Sequence, residues 1–166
     1  MKALFIGLGS IGQRHLRNLI SLAPDVKLMA VRSSRTAPVL SNTNQVISNI
    51  SLQEHYNITE FESLDTALLL KPEMVFVTNP TSMHVEVARK ALKSDAFVFI
   101  EKPISHNNEG IKELIQLEDS FGKNKICIGY QFRFNPALQL LQGILKEKVI
   151  GNIVGAQLVN GEYMPG

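Results

Sequence analysis

Six residues near the start, Gly7-Leu8-Gly9-Ser10-Ile11-Gly12, constrain this chain more than any others. They form a G-x-G-x-x-G pattern that follows a short apolar run, Ala3-Leu4-Phe5-Ile6. They also open a segment, Ile11 to Leu22, with apolar residues at helical spacing. A short apolar run bounded by glycine reads as a strand buried on both faces of a parallel sheet. In such a strand–turn–helix setting each glycine has a task. The first permits a tight turn, the second lets backbone approach a pyrophosphate, and the third lets helix and strand pack closely. The helix start then offers unpaired N–H groups and partial positive charge to the phosphate. Gly7, Gly9, Ser10, Ile11 and Gly12 are therefore candidate dinucleotide-binding residues. Two other readings stay open here: a glycine-rich turn with no ligand, and the glycine-rich loop of an S-adenosylmethionine-dependent methyltransferase.

The rest of the chain repeats strand then helix. Val26 to Val31, Met74 to Val77, Ala96 to Ile100 and Lys125 to Gly129 read as strands, and Gln45 to Ser48 as a short third strand. Ser33 to Asn44 is polar and reads as a loop. Helices are expected over Ser63 to Leu70, from a Thr81 cap to about Lys93, from an Asn107 or Asn108 cap to about Ser120, and from Pro136 to about Lys148. Alternation of this kind predicts an α/β class: a doubly wound, mostly parallel sheet with helices on both faces. Asn152 to Asn160 alternates weakly and reads as the first strand of a second, α+β domain, which makes the chain a fragment. The expected divisions are residues 1–122 for the dinucleotide-binding domain, 123–149 for its last strand and connecting helix, and 150–166 for the opening of the second domain.

Composition narrows the function. Of 166 residues, 45% are hydrophobic and 19% charged, enough to bury a core and inconsistent with a disordered chain. A net charge of +2 gives no reason to expect nucleic acid as a partner. No apolar run approaches the roughly 18 residues of a membrane span, and the first apolar stretch is too short for a secretory signal. A single cysteine, Cys127, excludes an internal disulfide and fits a reducing, cytoplasmic setting. Set between Ile126 and Ile128, that thiol is expected to be buried and inert. His15, His55 and His106 have no partners at metal-ligand spacing, so no metal site is expected.

From Met1 to Gln53 the cations are Lys2, Arg14, Arg17, Lys27, Arg32 and Arg35, against the single anion Asp25. The end of the second strand, Val31-Arg32-Ser33-Ser34-Arg35, decides what this excess means. An NAD site wants a carboxylate about 20 residues past the loop, to bond the ribose 2′-hydroxyl. None is present at this strand end. Arg32, Ser33, Ser34 and Arg35 suit a 2′-phosphate instead, because guanidinium groups hold phosphate through charge-assisted hydrogen bonds. This favours NADP over NAD and counts against S-adenosylmethionine; a solvated polar loop is the plain alternative.

Further along stand Thr78-Asn79-Pro80-Thr81-Ser82-Met83-His84, Glu101-Lys102-Pro103, Gly129-Tyr130-Gln131-Phe132-Arg133-Phe134-Asn135-Pro136 and Ile150-Gly151. With the glycine loop, they make the chain resemble the N-terminal half of the Gfo/Idh/MocA oxidoreductases over essentially its whole length. The resemblance implies a Rossmann domain followed by a domain built on an open antiparallel sheet, which these enzymes tend to use for oligomer interfaces. It implies that Lys102 moves a proton in catalysis, beside a partner residue from the second domain. A lysine partly desolvated near a cationic nicotinamide ring would suit that task. The resemblance places Thr78, Asn79 and Pro80 along the dinucleotide, His84 near its pocket, Glu101 on the cofactor side, and Gln131 and Arg133 beside nicotinamide and substrate. Each has a structural alternative: turn chemistry at Thr78 to Pro80, a hydrogen-bonding His84, an ion-paired Glu101 or Arg133. Pro103 is compatible with either a cis or a trans bond.

The expected activity is hydride transfer between NADP (or NAD) and a sugar, cyclitol or related polyol, with this chain alone inactive. A dinucleotide-sensing module without chemistry is the principal alternative.

Overall fold

Alternation along one strand organises the molecule. In the computed structural model, which describes residues 1–32, 37–122, 124–159 and 161, β1 (Lys2–Ile6) is buried along almost its whole length. Ala3 and Phe5 face one side and Leu4 and Ile6 the other, as the two-residue period of a strand requires. Each side carries its own core. Leu4 and Ile6 pack with Val75, Val77, Val87, Leu92 and Leu114. Ala3 and Phe5 pack with Leu16, Leu19, Leu28, Leu52 and Phe76, and Phe5 stacks on Phe76 with ring centroids 4.5 Å apart.

The remaining strands are β2 (Lys27–Val31), β3 (Val39–Leu40), β4 (Val46–Ile47), β5 (Thr59–Phe61), β6 (Met74–Val77), β7 (Phe97–Ile100) and β8 (Ile126–Ile128). The helices are α1 (Ser10–Leu22), α2 (Leu52–Tyr56), α3 (Leu64–Leu68), α4 (His84–Lys93), α5 (Ile111–Ser120) and α6 (Pro136–Lys146). Six strands form one parallel sheet in the order β5-β2-β1-β6-β7-β8. This is the doubly wound α/β order of a Rossmann fold, with its switch point between β1 and β6.

Several local expectations are corrected. Val46–Ile47 does not join the sheet. It pairs antiparallel with Val39–Leu40, inside the segment expected to be loop. The turn between them is closed locally: Asn44 has φ +60°, and the Ser41 hydroxyl accepts the N–H groups of Thr43 and Gln45. The third strand beside β2 is Thr59–Phe61, and it and α2 had no reading in sequence. A reciprocal cap starts α2. The Ser51 hydroxyl accepts the Glu54 N–H at 3.1 Å, and the Glu54 carboxylate accepts the Ser51 hydroxyl at 2.7 Å and its N–H at 3.1 Å. Those bonds, the hydroxyl's foremost, hold the Glu54 carboxyl below its ordinary value.

Thr81 does not cap α4: Thr81–Met83 is a 3₁₀ turn, and the helix begins at His84. Neither Asn107 nor Asn108 caps α5. Gly110, at φ +72°, takes that place, while Asn107 accepts the Glu109 N–H in the preceding turn. Cys127 is exposed, not buried, because on the edge strand β8 its two isoleucine neighbours face the α5 core and it faces away.

The chain divides into two units, Met1–Gly129 and Tyr130–Gly166. In the second, Gln131–Phe134 forms a 3₁₀ turn. Asn135 then caps α6, its side-chain oxygen accepting the N–H groups of Ala137 at 3.0 Å and Leu138 at 3.3 Å. Pro136 occupies the first turn, as its missing N–H favours. The strand expected over Asn152 to Asn160 is not formed among described residues 152–159, which are exposed; weak alternation makes no strand without a paired neighbour.

Candidate functional site: the cleft at the sheet switch point

The glycine loop leaves β1 at the carboxyl edge of the sheet. Gly7 adopts φ +91°, and a Cβ there would stand 3.0 Å from Asn79 backbone. A Cβ on Gly12 would stand 2.5 Å from the Gly7 carbonyl oxygen and 2.9 Å from Thr78 Oγ1, so helix and loop touch through this residue. The Thr78 hydroxyl locks the turn by donating to the Gly7 carbonyl at 2.7 Å. Gly9 differs, since nothing lies within 4 Å of its Cβ position. Its freedom from side chain leaves open space before the start of α1, where no side chain caps the first N–H groups and Ser10 and Ile11 are exposed.

Gln13, one turn into α1, is buried and holds the loop from behind. Its amide nitrogen donates to the carbonyls of Leu8 at 3.0 Å and Pro38 at 2.9 Å, and its oxygen accepts the Leu40 N–H at 2.7 Å.

A cleft of about 580 Å³ opens between this loop and the ends of β2 and β6, bordered among others by Gly7, Gly9, Arg32, Glu62, Asn79 and Pro80. The Asn79 side chain is buried, and neither its oxygen nor its nitrogen has a hydrogen-bond partner. A buried unsatisfied amide costs about 1–3 kcal/mol, which makes this one a candidate contact for a polar ligand. The orphaned amide, the open space at Gly9 and the uncapped helix start all fit a nicotinamide dinucleotide.

Arg32 closes the β2 side. Its side chain is 7% exposed, and its Nη2 lies 2.6 Å from Glu60 Oε1. Glu60 Oε1 makes no hydrogen bond, and neither do Arg32 Nε and Nη1, so the two groups are close but off hydrogen-bond alignment. Ser33, Ser34 and Arg35 lie outside the described residues.

The turn after β7 carries Glu101-Lys102-Pro103. Glu101 is half-buried. One carboxylate oxygen meets His15 Nε2 at 2.7 Å and the other accepts the Lys102 N–H at 3.0 Å. The His15 ring stands edge-on to Phe99, with centroids 4.7 Å apart. Glu101 is thus tied to His15 of α1. Lys102 is exposed. The Lys102–Pro103 peptide bond is cis.

His84 is 1% exposed, and its ring bridges two turns. Nδ1 stands 2.9 Å from the Pro103 carbonyl and Nε2 2.9 Å from the Asn79 carbonyl. A neutral ring donates to one of them, chosen by its tautomer. Its role in this structure is to tie the Asn79 turn to the Pro103 turn. Gln131 and Arg133 are exposed in the 3₁₀ turn of the second unit, where the Arg133 N–H donates to the Tyr130 carbonyl at 3.1 Å.

A family profile for the oxidoreductase family with the NAD-binding Rossmann fold (Gfo/Idh/MocA) matches residues 1–130. The chain belongs to this family. A curated relative, inositol 2-dehydrogenase/D-chiro-inositol 3-dehydrogenase of Lacticaseibacillus casei, is 27% identical over 161 residues, covering 96% of this chain and 43% of the relative. The scyllo-inositol 2-dehydrogenase (NAD(+)) of Bacillus subtilis is 27% identical over 142 residues, 82% of this chain and 37% of its own. Among solved structures, scyllo-inositol dehydrogenase from Lactobacillus casei with bound NAD(H) and scyllo-inositol superposes with a TM-score of 0.71 at 22% identity. That match covers 92% of this chain and 42% of the other. At such identity the likeness concerns the fold. This Gfo/Idh/MocA chain thus spans less than half the length of these curated relatives.

Four residues at the site had no reading as such in sequence. Gln13 and His15 sit one and three positions past the third glycine, so helical periodicity was a signal for them. Glu60 and Glu62 carried no signal until β5 was paired with β2.

Proposed function

We propose that this chain is the cofactor-holding part of an NAD(P)-dependent dehydrogenase or reductase acting on a cyclitol, sugar or sugar derivative, with residues 1–122 binding the dinucleotide. The observation that carries this reading is the buried, unpartnered Asn79 amide in the cleft between the glycine loop and the ends of β2 and β6. The names of the relatives, inositol dehydrogenases, support the substrate class.

A nicotinamide dinucleotide supplies the carbon that gives or takes hydride. The protein's own residues bind, orient and move a proton. Backbone N–H groups from Gly9 to Ile11 would meet a pyrophosphate, with Gly7 and Gly12 holding the turn that presents them. Asn79 would satisfy its amide on the ligand, with Thr78 and Pro80 shaping its turn and His84 holding that turn to Pro103. Glu101, held by His15, would fix the start of the turn that presents Lys102. During oxidation of a carbinol, the Lys102 amine takes the hydroxyl proton as hydride leaves the carbon; in reduction the ammonium returns it. Gln131 and Arg133 complete the reading, on the nicotinamide and substrate side.

NADP is the favoured cofactor in this reading. Arg32 ends β2 where a carboxylate would otherwise meet the ribose, and two of its N–H-bearing nitrogens are unpartnered.

Calorimetric titration with NADPH and NADH tests the proposal. Binding of both, NADPH more tightly, with the difference lost in Arg32→Ala, is the expected result. A folded chain that binds neither overturns it.

A further inference from the structure

Arg32 meets a carboxylate after all, supplied by a neighbouring strand. Parallel pairing sets Ala30 opposite Glu60 and Val31 opposite Phe61, so the end of β5 lies beside the end of β2. Glu60 Oε1 then stands 2.6 Å from Arg32 Nη2, with both side chains largely withdrawn from solvent. Because the pair lacks hydrogen-bond alignment, Arg32 Nε and Nη1 keep their donor capacity. What Glu60 changes is charge: the guanidinium and carboxylate together are neutral. Glu62 adds a second carboxylate to the same cleft wall.

We infer that Glu60 is a specificity-determining residue, which holds Arg32 in a charge-neutral pair and so limits how strongly the site prefers a 2′-phosphorylated dinucleotide over its 2′-hydroxyl counterpart. The inference rests on the reading that Arg32 meets the 2′-phosphate. A dianionic phosphate arriving at Arg32 also meets the Glu60 carboxylate, and the two contributions oppose each other. A ribose hydroxyl carries no charge and is not repelled by that carboxylate, which accepts hydrogen bonds from hydroxyl groups in its reach. Loss of the Glu60 charge, with its shape kept, therefore shifts the balance toward the phosphorylated cofactor.

The test is calorimetric titration of the full chain with NADPH and with NADH, in four forms: unaltered, Glu60→Gln, Arg32→Ala and the double variant. Glu60→Gln is expected to tighten NADPH by about three- to tenfold and not to tighten NADH. In the Arg32→Ala background the same substitution is expected to tighten NADPH as well, since the Glu60 carboxylate still faces the phosphate there. If Glu60→Gln leaves the NADPH-to-NADH ratio unchanged while Arg32→Ala lowers it, the inference fails and the Arg32 reading stands. If Arg32→Ala itself leaves the ratio unchanged, both fall together. Equal weakening of both cofactors by Glu60→Gln would make Glu60 a structural prop and overturn the inference. Thermal melting checks that each variant is folded, and Glu60→Thr, suited to a strand, replaces the glutamine variant if that one is not.

Discussion

Along the β1–β6 wall of the cleft, contacts run through backbone and short side chains. Gly7 turns against Asn79 backbone, Gly12 touches the Gly7 carbonyl, and the Thr78 hydroxyl bonds the same carbonyl. Along the β2–β5 wall the shape is made by long charged side chains, Arg32 against Glu60, close yet unaligned. One wall tolerates almost no added atom. The other tolerates change of shape and responds to change of charge. In the proposed reading, geometry at the first wall sets whether a dinucleotide is held, and electrostatics at the second sets which one.

The largest effect expected from breaking this contrast is at Gly12. A Cβ 2.5 Å from backbone oxygen forces helix and loop apart, so Gly12→Ala should destabilise the fold by about 3 kcal/mol, read by denaturant unfolding. Gly9→Ala should separate folding from binding. Its Cβ meets nothing in the protein, so the melting temperature stays, while dinucleotide affinity falls by about a hundredfold in titration. Equal stability losses at the two glycines would erase the distinction between packing glycine and ligand-facing glycine. At the other wall Arg32→Ala should weaken NADPH about tenfold with little effect on NADH.

The smallest effect lies away from both walls. Ser51→Ala removes the cap of α2 and should cost about 1 kcal/mol of stability without touching affinity. The variant should also flatten an acid-side dependence. The Glu54 carboxyl is held below its ordinary value in the folded protein, so its contribution is present above that ordinary value and is lost as pH falls through the folded one. Thermal melts of both proteins between neutral and acidic pH would show the gap closing in acid.

The legibility of the site follows the same division. The loop could be read because a G-x-G-x-x-G run between a strand and a helix states local backbone needs. The turns at Thr78-Asn79-Pro80 and Glu101-Lys102-Pro103 could be placed because strand ends in an α/β sheet face one edge. His84 kept two readings in sequence, and its two carbonyl contacts give it a structural role here. His15 was passed over, since nothing in its neighbourhood shows that Glu101, 86 positions away, comes within 2.7 Å. The end of β2 holds no carboxylate, and the one beside Arg32 belongs to β5, which is remote in sequence. The strand expected after Asn152 rested on weak alternation, which has no force without a neighbour to pair with.

By itself the sequence determined the doubly wound order of elements, the two-faced burial of β1 and the glycine turn at the sheet edge. These follow from side-chain period and backbone sterics, which act over a few residues. Only the tertiary structure decided that Asn79 is buried without a partner, that His15 holds Glu101 and that Glu60 neutralises Arg32. Each of these depends on which strands and helices become neighbours, and that is settled by the joint burial of two cores and not by any single segment.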